Sequence, residues 1–248
     1  MKRMTSAEVK ETIFNTMVYF DKLCRKHNLK YFLAFGTCLG AVRHKDFIPW
    51  DDDADVFMDR ESYDKLLEIM NKEKSHYKLL SFKESDKYFY PYYKLVDTRT
   101  AIREKYLKKI PNLGVYLDIF PLDGMPEDDK ESTKVIRKFE SLHHRLILNN
   151  INIAIGTKRL AKKLDELSLK YPVADCKYAG CTVWLGRRKC FDKTYADELV
   201  ELPFHGYNFY VPKEYDKYLT RTYGDYMTLP PENKRKVHGF KGYWKDAI

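Results

Sequence analysis

The feature that most constrains the fold is a run of carboxylates placed directly before an apolar segment. Aspartates stand at positions 51, 52, 53 and 55, and Val-Phe-Met follows at 56 to 58. The apolar residues predict a buried strand, in which alternate side chains share one face. Asp53 and Asp55 would then point the same way, about 7 Å apart by strand rise.

Two ionised carboxylates on one face repel each other unless a cation lies between them. Their hard oxygen atoms suit Mg²⁺ or Mn²⁺, ions that commonly hold substrate phosphates as well. A solvated acidic turn is the alternative interpretation. The apolar residues on both sides of the run favour a metal site, because they place the carboxylates at the end of a buried strand. Trp50, just before the run, is expected to fill the core rather than to stack on a ligand.

A Gly-Thr pair, Gly36 and Thr37, follows another apolar run at 31 to 35, which predicts the first strand. Glycine lets backbone N–H groups approach an anion, and a helix starting there would add the positive end of its dipole. Both strand ends are expected to meet at one cleft. Arg43, between the two motifs, can clasp a phosphate with two parallel hydrogen bonds.

The remaining pattern predicts an α/β fold with a mixed sheet. A helix over about 5 to 28 is expected to start with a capping box between Thr5 and Glu8. Further strands are expected at 77 to 82, 88 to 97 and 114 to 122, followed by helices over about 128 to 170, a strand at 207 to 211 and a helix at 212 to 224. We therefore predict a core over about 5 to 125 and a mainly helical C-terminal part over about 126 to 248. With no linker between them, the chain is expected to form one domain, 1 to 248.

The net charge of the chain only partly restricts the classes of partner that it can bind. The formal net charge of +9 favours anionic ligands, such as nucleotides, phosphorylated polymers or an anionic membrane face. No nucleic-acid-binding motif is visible, so we expect no nucleic acid partner. The longest nearly apolar stretch, 31 to 42, is too short to span a bilayer. We expect no transmembrane segment and a cytoplasmic protein, at most peripheral to the inner face of the membrane.

Five cysteines in a chain of 248 residues argue against a disulfide scaffold. Cys176, Cys181 and Cys190 are clustered, and His205 would complete four zinc ligands, but their spacing matches no compact zinc motif. Buried thiols are the preferred interpretation.

Three long segments carry a family resemblance. They are GTCLGAVRHKDFIPWDDDADVFM at 36 to 58, YLDIFPLDG at 116 to 124 and FHGYNFYVPKEYDKYLTRTYGDYMTLPPENKR at 204 to 235. In this order they resemble the LicD family, whose relatives include the fukutin-type proteins, and the resemblance extends from about residue 25 to 240.

The resemblance implies a nucleotidyltransferase-like fold and a phosphotransferase activity. LicD-type enzymes transfer phosphocholine from CDP-choline to a sugar hydroxyl of a cell-surface polymer, such as a teichoic acid, or of its lipid-linked precursor. Fukutin-type relatives transfer ribitol phosphate from CDP-ribitol. The expected partners are therefore a CDP-alcohol donor and a sugar or glycopolymer acceptor.

The family pattern is a Gly-Ser or Gly-Thr pair, then Asp-x-Asp, then a third acidic residue on a later strand. The third position falls on Asp118, with Asp123 as the second choice. Ala54 departs from the larger aliphatic residue more usual between the two aspartates. The predicted catalytic residues and metal ligands are Asp53, Asp55 and Asp118, and the predicted donor contacts are Gly36, Thr37, Arg43, Asp52 and Lys94.

Three alternatives remain open from the residues. Lys94 is either a phosphate contact or a solvated charge on an edge strand that Pro91 interrupts. A nucleotide-sugar-dependent glycosyltransferase would use the same Asp-x-Asp pair, and a non-catalytic basic binding module would use only the charge.

A choline donor would need an aromatic cage for its quaternary ammonium. Tyr88, Tyr90, Tyr92 and Tyr93 offer rings for it.

Overall fold

The computed structural model describes residues 1–103, 110–127, 157–182, 190–235, 239 and 241–245, and those of 130–145 other than 132, 135, 136, 139 and 143. The described residues between 130 and 145 are helical, as predicted. The sequence also predicts an apolar face of Ile136, Phe139, Leu142 and Leu146 for a helix there, but Ile136, Phe139 and Leu146 lie outside the described part. The helices elsewhere are α1 (Ser6–His27), α2 (Phe35–Arg43), α3 (Arg60–Met70), α4 (Thr157–Ser168) and α5 (Tyr215–Tyr223).

A mixed sheet forms the centre of the fold. Its strands are β2 (Tyr31–Leu33), β3 (Asp55–Asp59), β4 (Tyr77–Leu80), β5 (Tyr93–Asp97) and β7 (Tyr116–Met125), in the order β2-β3-β7-β5-β4. Only β3 and β7 run parallel, and the other neighbours are antiparallel. The far half of β7 also pairs with β8 (Tyr178–Gly180), which pairs with β9 (Phe191–Asp192).

Two smaller sheets flank the central one. One has the order β1-β12-β6, from β1 (Lys2–Arg3), β6 (Thr100–Arg103) and β12 (Lys241–Trp244). The other is a hairpin of β10 (Leu199–Phe204) and β11 (Tyr207–Pro212). Helix α1 packs against β5 and β7, whereas β11 lies against β2.

Helix α1 begins and ends as its sequence dictates. Thr5 Oγ1 accepts a hydrogen bond from the Glu8 N–H at 3.1 Å, and Glu8 Oε2 accepts one from the Thr5 N–H at 2.7 Å. This reciprocal pair is the predicted capping box, which satisfies two otherwise unpaired N–H groups. The helix ends at Asn28, whose left-handed φ of 53° closes the last turn.

The α/β class and the mixed sheet are confirmed, whereas a mainly helical C-terminal part is not confirmed, because the described residues there include strands as well as helices. Strands β8 to β12 all lie beyond residue 126, and β10 was not predicted because its charged Glu201 and its Pro203 weaken the strand pattern. Its hairpin turns at His205 and Gly206, whose φ angles of 50° and 81° match the twist of a two-residue hairpin loop. Helix α5 and strand β11 lie where they were expected.

Buried ion pairs join the outer elements to the core. Asp21 of α1 is fully buried and accepts hydrogen bonds from Arg25, Tyr31 and Tyr207, which ties the hairpin to the first helix. No helix among the described residues is both long and apolar enough to cross a membrane.

Candidate active site

Three charged side chains lie in a row across the centre of the sheet. Asp55 is the first residue of β3 and lies beside Asp118 of the parallel strand β7, and Asp118 in turn pairs with Lys94 of β5. Strand register brings them together although they are far apart in sequence. Lys94 Nζ lies 2.6 Å from Asp118 Oδ1, with Lys94 1% and Asp118 7% exposed. A buried charge pair of this kind needs good geometry to offset its desolvation.

More carboxylates crowd around Asp55. Burial raises the pKa of Asp55 well above its ordinary value, and the neighbouring charges of Asp53, Asp118 and Asp51 raise this pKa further. Lys94 opposes the effect. Negative charge is therefore concentrated at one end of β3. This charge disfavours ionisation of the Asp55 carboxyl group.

The strand β3 begins only at Asp55, so Asp53 precedes the strand. Asp53 lies in the preceding extended segment, and its charge still acts directly on Asp55. The backbone of Ala54 is hydrogen-bonded to strand β7, because the Asp118 N–H donates to the Ala54 carbonyl at 2.9 Å.

The start of helix α2 is fixed to this cluster. Thr37 Oγ1 accepts a hydrogen bond from the Asp55 N–H at 2.8 Å, and the Ala34 N–H donates to the Asp55 carbonyl at 2.9 Å. Phe35 has a φ of 44°, which is unfavourable for a residue with a side chain. Its N–H donates to the Tyr218 hydroxyl of α5 at 2.9 Å. Helix α5 therefore supports the strained turn that aims α2 at the carboxylates.

The sequence predicted that Gly36 follows the end of the first strand. In the structure, Gly36 lies in the first turn of α2. A Cβ atom there would lie 2.6 Å from Asp51 Oδ2, closer than real Cβ atoms come to other atoms. Glycine is required because it admits a carboxylate over the start of the helix. The anion at this position is a side chain of the protein itself.

The environment of Lys94 excludes the edge-strand interpretation. Strand β5 lies between β4 and β7, and the Lys94 ammonium lies 3.5 Å from the ring centroid of Tyr116 and 4.6 Å from that of Tyr90. Tyr92 follows at 5.4 Å. These rings form an aromatic cage that already surrounds a cation, the lysine itself.

The other predicted residues are placed as follows. Asp52 Oδ2 accepts a hydrogen bond from the Gly239 N–H at 3.0 Å, which holds the C-terminal segment. Arg43 donates to the Tyr226 carbonyl and to His44. Asp123 lies at the other end of β7 and binds the Arg60 guanidinium, with 2.8 Å between Asp123 Oδ2 and Arg60 Nη2, so it does not join the carboxylate cluster. Tyr93 stacks on Tyr63 and is not part of the cage.

Comparison with known proteins supplies the family. Residues 28 to 146 match the family model described as LicD/FKTN/FKRP, nucleotidyltransferase domain. The lipopolysaccharide cholinephosphotransferase LicD of Haemophilus influenzae is 32% identical over 261 residues, which cover 96% of this chain and 97% of that protein. This chain belongs to the LicD family.

Two shorter matches fall within uncharacterized proteins of the genus Rickettsia. One, from Rickettsia typhi, is 42% identical over 57 residues, 23% of this chain and 18% of that protein. The other, from Rickettsia prowazekii, is 39% identical over 59 residues, 24% of this chain and 22% of that protein.

The donor atoms of this LicD-family site suit a hard divalent cation. Asp53, Asp55 and Asp118 bring carboxylate oxygens to one end of β3, and a bound cation would relieve the repulsion that raises the Asp55 pKa. In the part of the chain that the structure describes, no three His, Cys, Asp or Glu side chains already have metal-binding geometry. Asp118 is instead paired with Lys94. The cysteines at 176, 181 and 190 are buried, as expected.

Two tyrosines of α5 lie near the carboxylates. The sequence predicts that Tyr223 belongs to a turn that either completes the fold or lines the cleft, and it assigns Tyr218 no role. Tyr218 supports the start of α2, and Tyr223 lies close enough to the carboxylates that their charge, after burial, raises the pKa of its hydroxyl. Trp50 is partly buried and packs against the hydrophobic core, as expected, and it also lines a cavity next to Gly36. The only sequence signal for these residues was their position inside the segments that resemble the family.

Proposed function

We propose that this protein transfers a phospho-alcohol group, most simply phosphocholine, from a CDP-linked donor to a sugar hydroxyl of a cell-surface glycopolymer or its lipid-linked precursor. Its family and its full-length relative make it a transferase of phosphorus-containing groups. One observation carries the proposal. Asp53, Asp55 and Asp118 meet at the start of α2 in a chain that matches a cholinephosphotransferase over nearly its whole length.

The same three carboxylates would hold Mg²⁺ or Mn²⁺. When bound, such an ion supplies neutralisation of the charge that develops on the donor diphosphate during phosphoryl transfer. The protein contributes the fixed positions of the ligands. Thr37 and Ala34 hold the Asp55 backbone on both sides, and the Asp118 backbone is bound to Ala54. This rigidity favours a productive donor geometry, because little reorganisation is needed during reaction.

Asp118 is our candidate to take the proton of the acceptor hydroxyl. Lys94 fixes its carboxylate through Oδ1, and the cage of Tyr90, Tyr92 and Tyr116 holds the Lys94 ammonium in place. Lys94 is therefore a positioning residue in this proposal rather than the direct phosphate contact that the sequence suggested. The attacking oxygen bonds to the phosphorus of phosphocholine as the bond from that phosphorus to the bridging oxygen breaks, and CMP leaves.

The test is a donor panel followed by product analysis. Purified protein is incubated with CDP-choline, CDP-ribitol, CDP-glycerol, CDP-ethanolamine or nucleotide sugars, with Mg²⁺ or with EDTA. Chromatography of the nucleotides identifies the product. Mg²⁺-dependent CMP release from a CDP-alcohol, lost in Asp53→Asn, supports the proposal. Release of UDP or GDP from a nucleotide sugar would instead identify a glycosyltransferase.

Membrane or polymer binding without any donor turnover would identify a basic binding module. Asp197, an exposed aspartate outside the cluster, provides the control variant Asp197→Asn, which should retain wild-type turnover.

A further inference from the structure

A cavity of about 520 Å³ opens beside the carboxylates and extends along helix α2. It begins at Gly36 and Asp51 and reaches Arg43, seven residues along the helix and therefore about 10 Å away. Its size is within the range usual for small-molecule sites. An occupant that touches both ends must reach from the carboxylate cluster to the far end of the helix.

Apolar and polar side chains both line the cavity. Trp50 forms one side, and the segment after α5 provides Tyr226, Leu229, Pro230 and Pro231. The guanidinium of Arg235 stacks on the Trp50 ring, 4.5 Å from its centroid, which braces the indole. Aromatic rings in the lining suit a planar ligand, because a flat ring can stack on them.

Charge is distributed unevenly along the cavity. Asp51 lies at the end near α2's first turn, whereas Arg43 and Lys234 line the wall further along. Asp225, the other carboxylate in the lining, is engaged by the Thr228 hydroxyl at 2.7 Å. The cationic groups disfavour a quaternary ammonium and offer N–H donors to carbonyl and ring-nitrogen acceptors. The choline half of a donor is therefore a poor fit here, and a nucleobase edge is a good one.

Tyr223 connects the cavity to the reaction centre. It is the last residue of α5 and lines the cavity. Its hydroxyl lies near enough to Asp55, Asp51 and Asp53 for their charges to act on it. A ligand in the cavity would thus be continuous with one at the carboxylates.

We propose that this cavity holds the nucleoside half of a nucleoside diphosphate donor, with the base stacked on Trp50 and its acceptor atoms bound by Arg43 and Lys234. The inference rests on the proposed function, since it assigns the nucleotide end of that donor. It makes Trp50 and Lys234 specificity determinants that act on binding and not on the chemical step. The choline end then points away from α2, toward the acceptor.

The test is direct binding of nucleoside monophosphates, which does not depend on turnover. Equilibrium dialysis with CMP, UMP, AMP and GMP is compared for wild type, Trp50→Leu, Trp50→Phe and Lys234→Gln. We expect CMP to bind best, Trp50→Leu to weaken it by about tenfold or more, Trp50→Phe to weaken it less, and Lys234→Gln to weaken it severalfold. Phosphocholine binding should be unchanged in all variants.

Two control variants match these changes outside the cavity. Trp244, half-buried on β12, gives Trp244→Leu, and Lys217, exposed on α5, gives Lys217→Gln. Both should bind CMP as wild type does. If all four nucleotides fail to bind, or if CMP binds equally well to folded Trp50→Leu and Lys234→Gln proteins, the inference is overturned.

The outcome separates this inference from the proposed function. CMP binding that depends on Trp50, without turnover of any CDP-alcohol, would support the cavity assignment and reject the phosphotransferase. CDP-choline turnover whose KM is unaffected by Trp50→Leu and Lys234→Gln would support the phosphotransferase and overturn the cavity assignment.

Discussion

Replacing Asp55 with asparagine should stabilise the protein at pH 8 while abolishing transfer. Asp55 and Asp118 lie on adjacent paired strands, with backbones about 5 Å apart. Two unit charges at about 5 Å repel by roughly 3 kcal/mol at an effective dielectric constant of about 20. Lys94, 2.6 Å from Asp118, offsets much of this repulsion, whereas Asp51 and Asp53 add to it.

Asp55 is mostly buried but not fully, so water screens part of the repulsion, and we expect a net gain of about 1–2 kcal/mol from Asp55→Asn. For a chain of this size that corresponds to a rise in Tm of about 2–8 °C. Loss of one carboxylate ligand should remove most CDP-choline turnover. Greater stability together with lost activity is the pattern expected when a site keeps unfavourable charge for function.

The gain should depend on pH in a defined direction. The Asp55 pKa is raised in the folded protein, so its ionisation destabilises the fold once the pH exceeds the unfolded value of about 4. The advantage of Asp55→Asn should therefore be absent near pH 4, grow as pH rises, and become constant above the raised folded pKa. Thermal unfolding in EDTA from pH 4 to 8.5 measures it, with Asp197→Asn as the control. An Asp55→Asn protein less stable than wild type at pH 8 would refute the reasoning.

Two further substitutions test the framework around the site. Lys94→Met leaves the buried Asp118 charge unpaired and should lower the free energy of unfolding by about 3–5 kcal/mol in urea denaturation, whereas Lys78→Met on the exposed face of β4 should change it little. An equal effect of both would contradict the pair's importance. Thr37→Val removes the acceptor of the Asp55 N–H and should cost about 1–3 kcal/mol and reduce turnover. Thr37→Ser should restore both, and failure to do so would reject this role.

Local features of the fold could be predicted where neighbouring residues determine them. The capping box of α1 involves residues three apart, so Thr5 and Glu8 predict it directly. The hairpin turn was harder, because His205 adopts a left-handed conformation that its residue type only weakly favours. Without a recognisable turn, the charged strand β10 had no sequence signal strong enough to predict a strand rather than a loop.

The candidate site likewise contains residues that local sequence predicts and contacts that only the tertiary fold sets. Asp53 and Asp55 were found from a local run and Asp118 from a resemblance, but the pairing of Lys94 with Asp118 depends on the register of two strands far apart in the chain. An apolar alternation cannot fix that register in advance. Likewise, the positions of Tyr218 and Tyr223 beside α2 follow from the docking of α5, which no local pattern encodes.

The central claim is that Asp53, Asp55 and Asp118 together hold one divalent cation beside α2. Titration with Mn²⁺, with the free ion followed by electron paramagnetic resonance, measures this without any substrate. We predict saturable binding to wild type and Asp197→Asn, weakened at least tenfold in Asp53→Asn, Asp55→Asn and Asp118→Asn. Equal Mn²⁺ binding by all five proteins, or none by wild type, would contradict the account.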